Sequence, residues 1–87
     1  MNICILQGKI ISEVEFKFIM NGKNKSVAYF DMILSNNSVI KVKAYNEKAD
    51  FVYRKFKQGK NIIIEGKIRN NNLTKQLEIV FLWNFFR

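Results

Sequence analysis

This sequence of 87 residues predicts an all-β fold, a five-stranded barrel with one α-helix between the third and fourth strands. Three observations carry that expectation. Five stretches alternate apolar and polar residues with the period of a strand. One stretch, 47–58, switches to helical spacing. Turns rich in Asn and Gly separate the stretches, and there is no proline anywhere.

The first strand is "NICILQGKII" (2–11), with Cys4, Leu6, Gly8 and Ile10 on one face and Ile5, Gln7 and Lys9 on the other. A glycine in mid-strand marks a bulge or a close backbone crossing, as in a small barrel that bends sharply. "EFKFIM" continues or resumes this strand, and Asn21-Gly22 is a hairpin signal. The second strand is "SVAYFDMIL" (26–34). Ala28, Phe30, Met32 and Leu34 face one way; Val27, Tyr29, Asp31 and Ile33 face the other. "SNNS" turns into the third strand, "VIKVKAY" (39–45), where Val39, Lys41, Lys43 and Tyr45 share the outward side.

The helix is predicted over Glu47–Gln58, because Ala49, Val52, Tyr53 and Phe56 follow the i, i+3, i+4, i+7 rule. Asn46 is placed as its N-cap. Glu47 and Asp50 fall in the first turn and Arg54, Lys55 and Lys57 near the end, as the helix dipole favours. Gly59 is placed to close it in a left-handed conformation. The fourth strand is "KNIIIEGKIR" (60–69), with Lys67 and Arg69 outward; "NNNLTK" turns. The fifth, "QLEIVFLWNFF" (76–86), is apolar on nearly both faces, as in a strand that sits under another element or forms a subunit contact. The predicted core is Leu6, Ile10, Ala28, Phe30, Met32, Ile40, Val42, Ala44, Ala49, Val52, Ile62, Ile64, Ile68 and Ile79. Three strands, a helix and two strands, read as antiparallel, is the plan of an OB-fold barrel, which also resolves the edge-strand problem.

Charge narrows the function. Lys and Arg number 15 against 7 Asp and Glu, a net charge of +8, which attracts polyanions. An AT-rich genome, whose codons favour Lys, Asn and Ile, produces the same bias. By parity, Lys9, Tyr29, Lys41, Lys43, Tyr45, Lys67 and Arg69 point outward. Single strands expose bases and phosphates together, so a binder without sequence preference needs cations for phosphates and flat rings for bases. Lysines two residues apart on a strand are roughly 7 Å apart, close to the stretched phosphate repeat. Lysines on an outward strand face are also commonly just solvated. Trp83, among Phe81, Phe85 and Phe86, reads as core or interface. Asp31 on the same outward face either bonds a base edge or pairs with a neighbouring lysine. The basic run at the helix end reads as dipole compensation.

Several classes are excluded. There is no His, and a lone Cys4 in an apolar run has no base to activate it. There is no metal-ligand spacing and no glycine-rich phosphate loop. An enzyme is therefore not expected, nor any cofactor or metal. One cysteine rules out an internal disulfide framework and suggests a reducing compartment. No apolar run reaches spanning length, the helix face is needed by the barrel, and no signal peptide is visible. The expected setting is a reducing interior, not secretion or a membrane. A domain this small leaves much surface exposed, so association is expected.

The chain also resembles a known family. "NICILQGKI", "EFKFIMNG", "VAYFDMI" and, most strongly, "VKAYNEKADFVYRKFKQGKNIIIEGKIR" resemble, in order and at similar spacing, the OB domain of the bacterial-type single-stranded DNA-binding proteins. The resemblance implies one OB-fold domain over 1–87 that binds single-stranded DNA, or RNA by the same contacts, as a homodimer or homotetramer. It implies that Tyr45 stacks on a base and that Lys41 and Arg69 occupy basic positions. Val39 and Leu73 stand where the family commonly has tryptophans, which lowers the expected affinity. The family's linker and acidic tip are not seen after the fifth strand, so no partner recruited by an acidic tail is expected. In this the chain is similar to primosomal replication protein N. An alternative is an oligomeric interaction module of a replication, primosome or conjugation complex with weak nucleic-acid affinity.

Overall fold

A computed structural model describes residues 2–20 and 22–85. The elements run β1 (Cys4–Ile10), β2 (Glu15–Phe18), β3 (Ser26–Leu34), β4 (Val39–Tyr45), α1 (Glu47–Lys55), β5 (Asn61–Asn71) and β6 (Gln76–Asn84). The strand order is β1-β5-β6-β4-β3-β2, and β1 also pairs with β3, which closes the sheet into a ring. The expected OB barrel with its inserted helix is what forms.

The first predicted strand is broken into β1 and β2. Both pair with β3, β1 at Gly8–Ile10 against Met32–Leu34 and β2 against Ser26–Tyr29, so together they still serve as one bent strand. Gly8 permits the bend. A Cβ there would lie 2.2 Å from the Ile33 carbonyl oxygen, so only glycine lets β1 cross β3 this closely. The expectation of wholly antiparallel pairing fails at one junction, where β4 and β6 run parallel. The crossover through α1 and β5 returns the chain beside β4 in the same direction. Of the two predicted hairpin turns, the Asn21 half of Asn21-Gly22 lies outside the described residues. Gly22 has φ 86, and Asn37 in the second turn has φ 68.

Inside the ring, Ile10, Ala28, Phe30, Met32, Val42, Ala44, Ile62, Ile64 and Ile79 are buried, with Ala49 and Val52 from the helix. Leu6 and Ile40 pack at the margin. Ile68, predicted for the core, is instead 44% exposed. Its partner Ile79 is buried, yet β1 pairs with β5 only from Cys4↔Gly66 onward, so among the described residues no strand flanks Ile68 on that side. The Asn2 side chain brackets its backbone instead, its Nδ2 donating to the Ile68 carbonyl at 2.7 Å and its Oδ1 accepting from the Ile68 N–H at 3.0 Å.

The helix ends at Lys55, three residues before the expected Gln58. Phe56 turns extended there, its N–H bonded to the Val52 carbonyl, and its ring enters the barrel end against Phe30, Phe51 and Phe81. Gly59 has the expected positive φ, 92, but it sits in the turn beyond the helix and donates to the Ile10 carbonyl at 2.7 Å. Asn46 stands at the N-cap position of the helix as expected, but its side chain makes no capping hydrogen bond. Its Oδ1 accepts from the Lys25 N–H at 2.7 Å and its Nδ2 donates to Asn24, so it ties the β2–β3 loop to the end of β4.

Candidate nucleic-acid interface

Cross-strand register assembles the outer wall from residues far apart in sequence. One row runs Lys17–Val27–Tyr45, across β2, β3 and β4. The next runs Glu15–Tyr29–Lys43–Val80–Lys67, ending on β6 and β5. A third runs Asp31–Lys41–Glu78–Arg69. Six of the seven predicted residues therefore share one wall: Tyr29, Lys41, Lys43, Tyr45, Lys67 and Arg69. Lys9 does not join them. It pairs with Ile33 and Asn61 and lines a separate hollow with Gln7, Gly8, Leu34 and Ser35.

Tyr29, Lys41, Lys43 and Tyr45 line one open groove of about 420 Å³, with Lys17, Ile19, Val27, Asn71 and Thr74. Lys17 and Lys41 both lie over the Tyr29 ring, their Nζ atoms 5.5 and 5.2 Å from its centroid, within cation–π range. The Tyr29 hydroxyl raises the Lys17 ammonium above its ordinary pKa. Lys17 is an addition to the predicted set. In "EFKF" it alternates outward with Glu15, but the sequence gives that short strand no neighbour. Tyr45 is held differently. The Arg69 guanidinium lies 5.3 Å from its ring centroid and donates to its hydroxyl at 2.5 Å.

Glu78 is a second residue absent from the predicted set. It is 3% exposed, yet it faces the wall and gathers the cations around it. Lys43 Nζ stands 3.2 Å from Oε1. Arg69 Nε donates to Oε2 at 3.0 Å, and a second Arg69 nitrogen contacts the same oxygen. Asn71 Nδ2 donates to Oε1 at 3.2 Å. Burial raises the Glu78 pKa, but the bonds from Arg69, Asn71 and Lys43 outweigh it and hold the carboxyl below its ordinary value of 4.5. Of the two roles open to Asp31, the structure shows the ion pair, with Lys41 at 3.4 Å.

A depressed carboxylate pKa stabilises the fold above the unfolded value and loses that contribution as pH falls through the folded one. Glu78→Gln is expected to cost about 1–3 kcal/mol at pH 7, the range for a disrupted buried charge-assisted network. Thermal midpoints of the two proteins should converge as pH falls below 4.5 and folded Glu78 takes up its proton. A gap that does not narrow at all as pH is lowered through the carboxylate range would show that the ionic contacts are not its origin.

Trp83 is not core. It is 61% exposed. The register jumps from Gly66↔Phe81 to Glu65↔Trp83, which skips Leu82. One extra residue reverses the facing of everything after it, so Phe81 is buried and Trp83 emerges outside, beside Ile5 and Glu65. Cys4 is half-buried, and burial pushes its thiol up, which suits an unreactive packing residue.

The single-strand binding protein family profile matches residues 1–80. The chain belongs to the single-strand binding protein family. This is a non-enzymatic, DNA-binding family with the OB fold. Among solved structures, the chain is similar to the SSB domain of a Synechococcus sp. protein, with a TM-score of 0.85 at 21% identity, covering 97% of this chain and 93% of that one. It is also similar to the wild-type single-stranded DNA binding protein from Thermus aquaticus, with a TM-score of 0.82 at 18% identity. That match covers 97% of this chain and 39% of the other, so the chain spans well under half of the Thermus protein. No curated protein matches. Among the described residues, no helix is long and apolar enough to cross a membrane.

Proposed function

We propose that this member of the single-strand binding family binds single-stranded DNA, with little sequence preference, across the wall of β3, β4, β6 and β5. The process served is replication, recombination or transfer of DNA, in the bacterial cytoplasm or an organelle interior. The observation that carries this reading is the convergence of Tyr29, Lys41, Lys43 and Tyr45 on one open groove. Rings stack on bases of any identity, and the lysines answer the phosphates. Lys67 supports the reading from the edge, where it holds no ion pair among the described residues.

A second reading, an oligomeric interaction module with weak nucleic-acid affinity, is favoured by one pair of features. Val39 and Leu73 are exposed and supply no ring. A titration of labelled oligo-dT, oligo-rU and duplex at about 50 and 200 mM salt separates the readings. Oligo-dT should bind better than duplex and weaken as salt rises, because phosphate contacts release counterions. Absence of salt-dependent oligo-dT binding would favour the interaction module. Equal binding of oligo-rU would extend the reading to RNA, since stacking and phosphate contacts serve both.

Assembly into a homodimer or homotetramer belongs to the same proposal. On a second wall, Ile3, Ile5, Trp83 and Phe85 are exposed over β1, β5 and the end of β6. Such a patch, with a tryptophan in it, suits a protein interface. Among the described residues, moreover, the first half of β1 pairs with β5 alone.

A further inference from the structure

The third row of the wall, Asp31–Lys41–Glu78–Arg69, alternates in charge across β3, β4, β6 and β5. Three of the wall's cations thus already hold carboxylates: Lys41 holds Asp31 at 3.4 Å, and Lys43 and Arg69 hold Glu78. We propose that Asp31 and Glu78 are resident competitors for phosphate, which hold back Lys41, Lys43 and Arg69 and shift binding at this wall from charge toward stacking. The inference rests on the single-strand reading above.

The physical reason is counterion release. A cation yields its full salt dependence only if it meets phosphate without an acidic partner of its own. Each carboxylate in the row cancels about one such contact. The two differ in how firmly they compete. Asp31 is partly exposed, at 39% of its side chain, so solvent screens its hold on Lys41. Glu78 is 3% exposed and fastened by Arg69, Lys43 and Asn71, so it stays. Arg69 is thereby kept against the Tyr45 ring, where it extends the aromatic surface rather than reaching for the backbone.

The test measures oligo-dT affinity against salt for the full chain and for Asp31→Asn, Glu78→Gln and Asp50→Asn. Asp50→Asn removes the same charge from a helix pair with Arg54, remote from the wall, and serves as the control. Asp31→Asn and Glu78→Gln should each bind tighter at low salt. Each should steepen the slope of log affinity against log salt by about 0.7, the share of one single-strand phosphate. Between 50 and 200 mM salt that is about two- to threefold more loss than the parent shows. Asp50→Asn should keep the parental slope. An unchanged or shallower slope for Asp31→Asn, or one matched by Asp50→Asn, overturns the proposal for Lys41. The same result with folded Glu78→Gln overturns it for Lys43 and Arg69. If Glu78→Gln does not fold, Asp31→Asn alone decides. A parent chain that does not bind oligo-dT would instead overturn the single-strand reading itself.

Discussion

Gly8→Ala is expected to destabilise the barrel by about 3 kcal/mol, the upper end of the overpacking range. The added Cβ would sit 2.2 Å from the Ile33 carbonyl oxygen and 3.1 Å from Met32 Cε. The methionine can move; the carbonyl cannot. It belongs to β3 where β1 crosses it, Lys9 pairing with Ile33 and Gly8 with Leu34, and that crossing closes the ring. To make room, the strands must separate at the one junction that holds β1 to β3. A domain of this size is stable by roughly 4–13 kcal/mol in total, so the loss is a large share of what it has. Chemical denaturation reads it directly, and the thermal midpoint should fall by about 12–24 °C. A change below about 1 kcal/mol would mean that β1 and β3 do not cross as closely as described.

Tyr45→Ala should weaken oligo-dT binding by about 1–3 kcal/mol, roughly 5- to 150-fold, the worth of one stacked base. The fold should survive it. Tyr45 stands at the end of β4 on the outer wall, and the core beneath is made by Val42 and Ala44. Because no charge is removed, the salt slope should stay as it was, which separates a lost stack from a lost phosphate contact. Tyr45→Phe keeps the ring and loses only the hydroxyl that Arg69 bonds at 2.5 Å, so its affinity should stay near the parent's. Parental affinity in Tyr45→Ala would remove Tyr45 from the interface. A loss of equal size in Tyr45→Phe would assign the effect to the Arg69 bond instead of the ring.

These two variants mark where sequence reading succeeds and where it stops. Gly8 announces a close crossing because glycine weakens a strand interior unless a bulge or a neighbouring backbone needs the room. What it crosses, the Ile33 carbonyl, depends on pairing between segments more than twenty residues apart. Tyr45, Lys41 and Lys43 are legible because strand period alone puts them on one side. Their partners are only partly so: pairing with a neighbouring lysine is one of two roles open to Asp31, but register alone decides that it is Lys41, and brings Glu78 alongside. Glu78 carries no signal at all: an acid in an apolar strand reads as solvated, whereas here three donors hold it buried. Trp83, read as core or interface, leaves the core for a related reason. Period-2 counting from Phe81 places it inside, and one skipped residue at Leu82 reverses the count.

Period and turn chemistry sufficed for the order of strands and helix that an OB barrel needs and for a basic, aromatic outer face, because these follow from interactions between residues near in sequence. The tertiary structure alone decided which cations hold carboxylates, which ring each one covers, where the helix yields to Phe56, and that Ile68 and Trp83 lie outside the core. Those outcomes depend on strand register, on one bulge and on where neighbouring strands end. All three arise from contacts between distant segments, which a one-dimensional pattern does not contain.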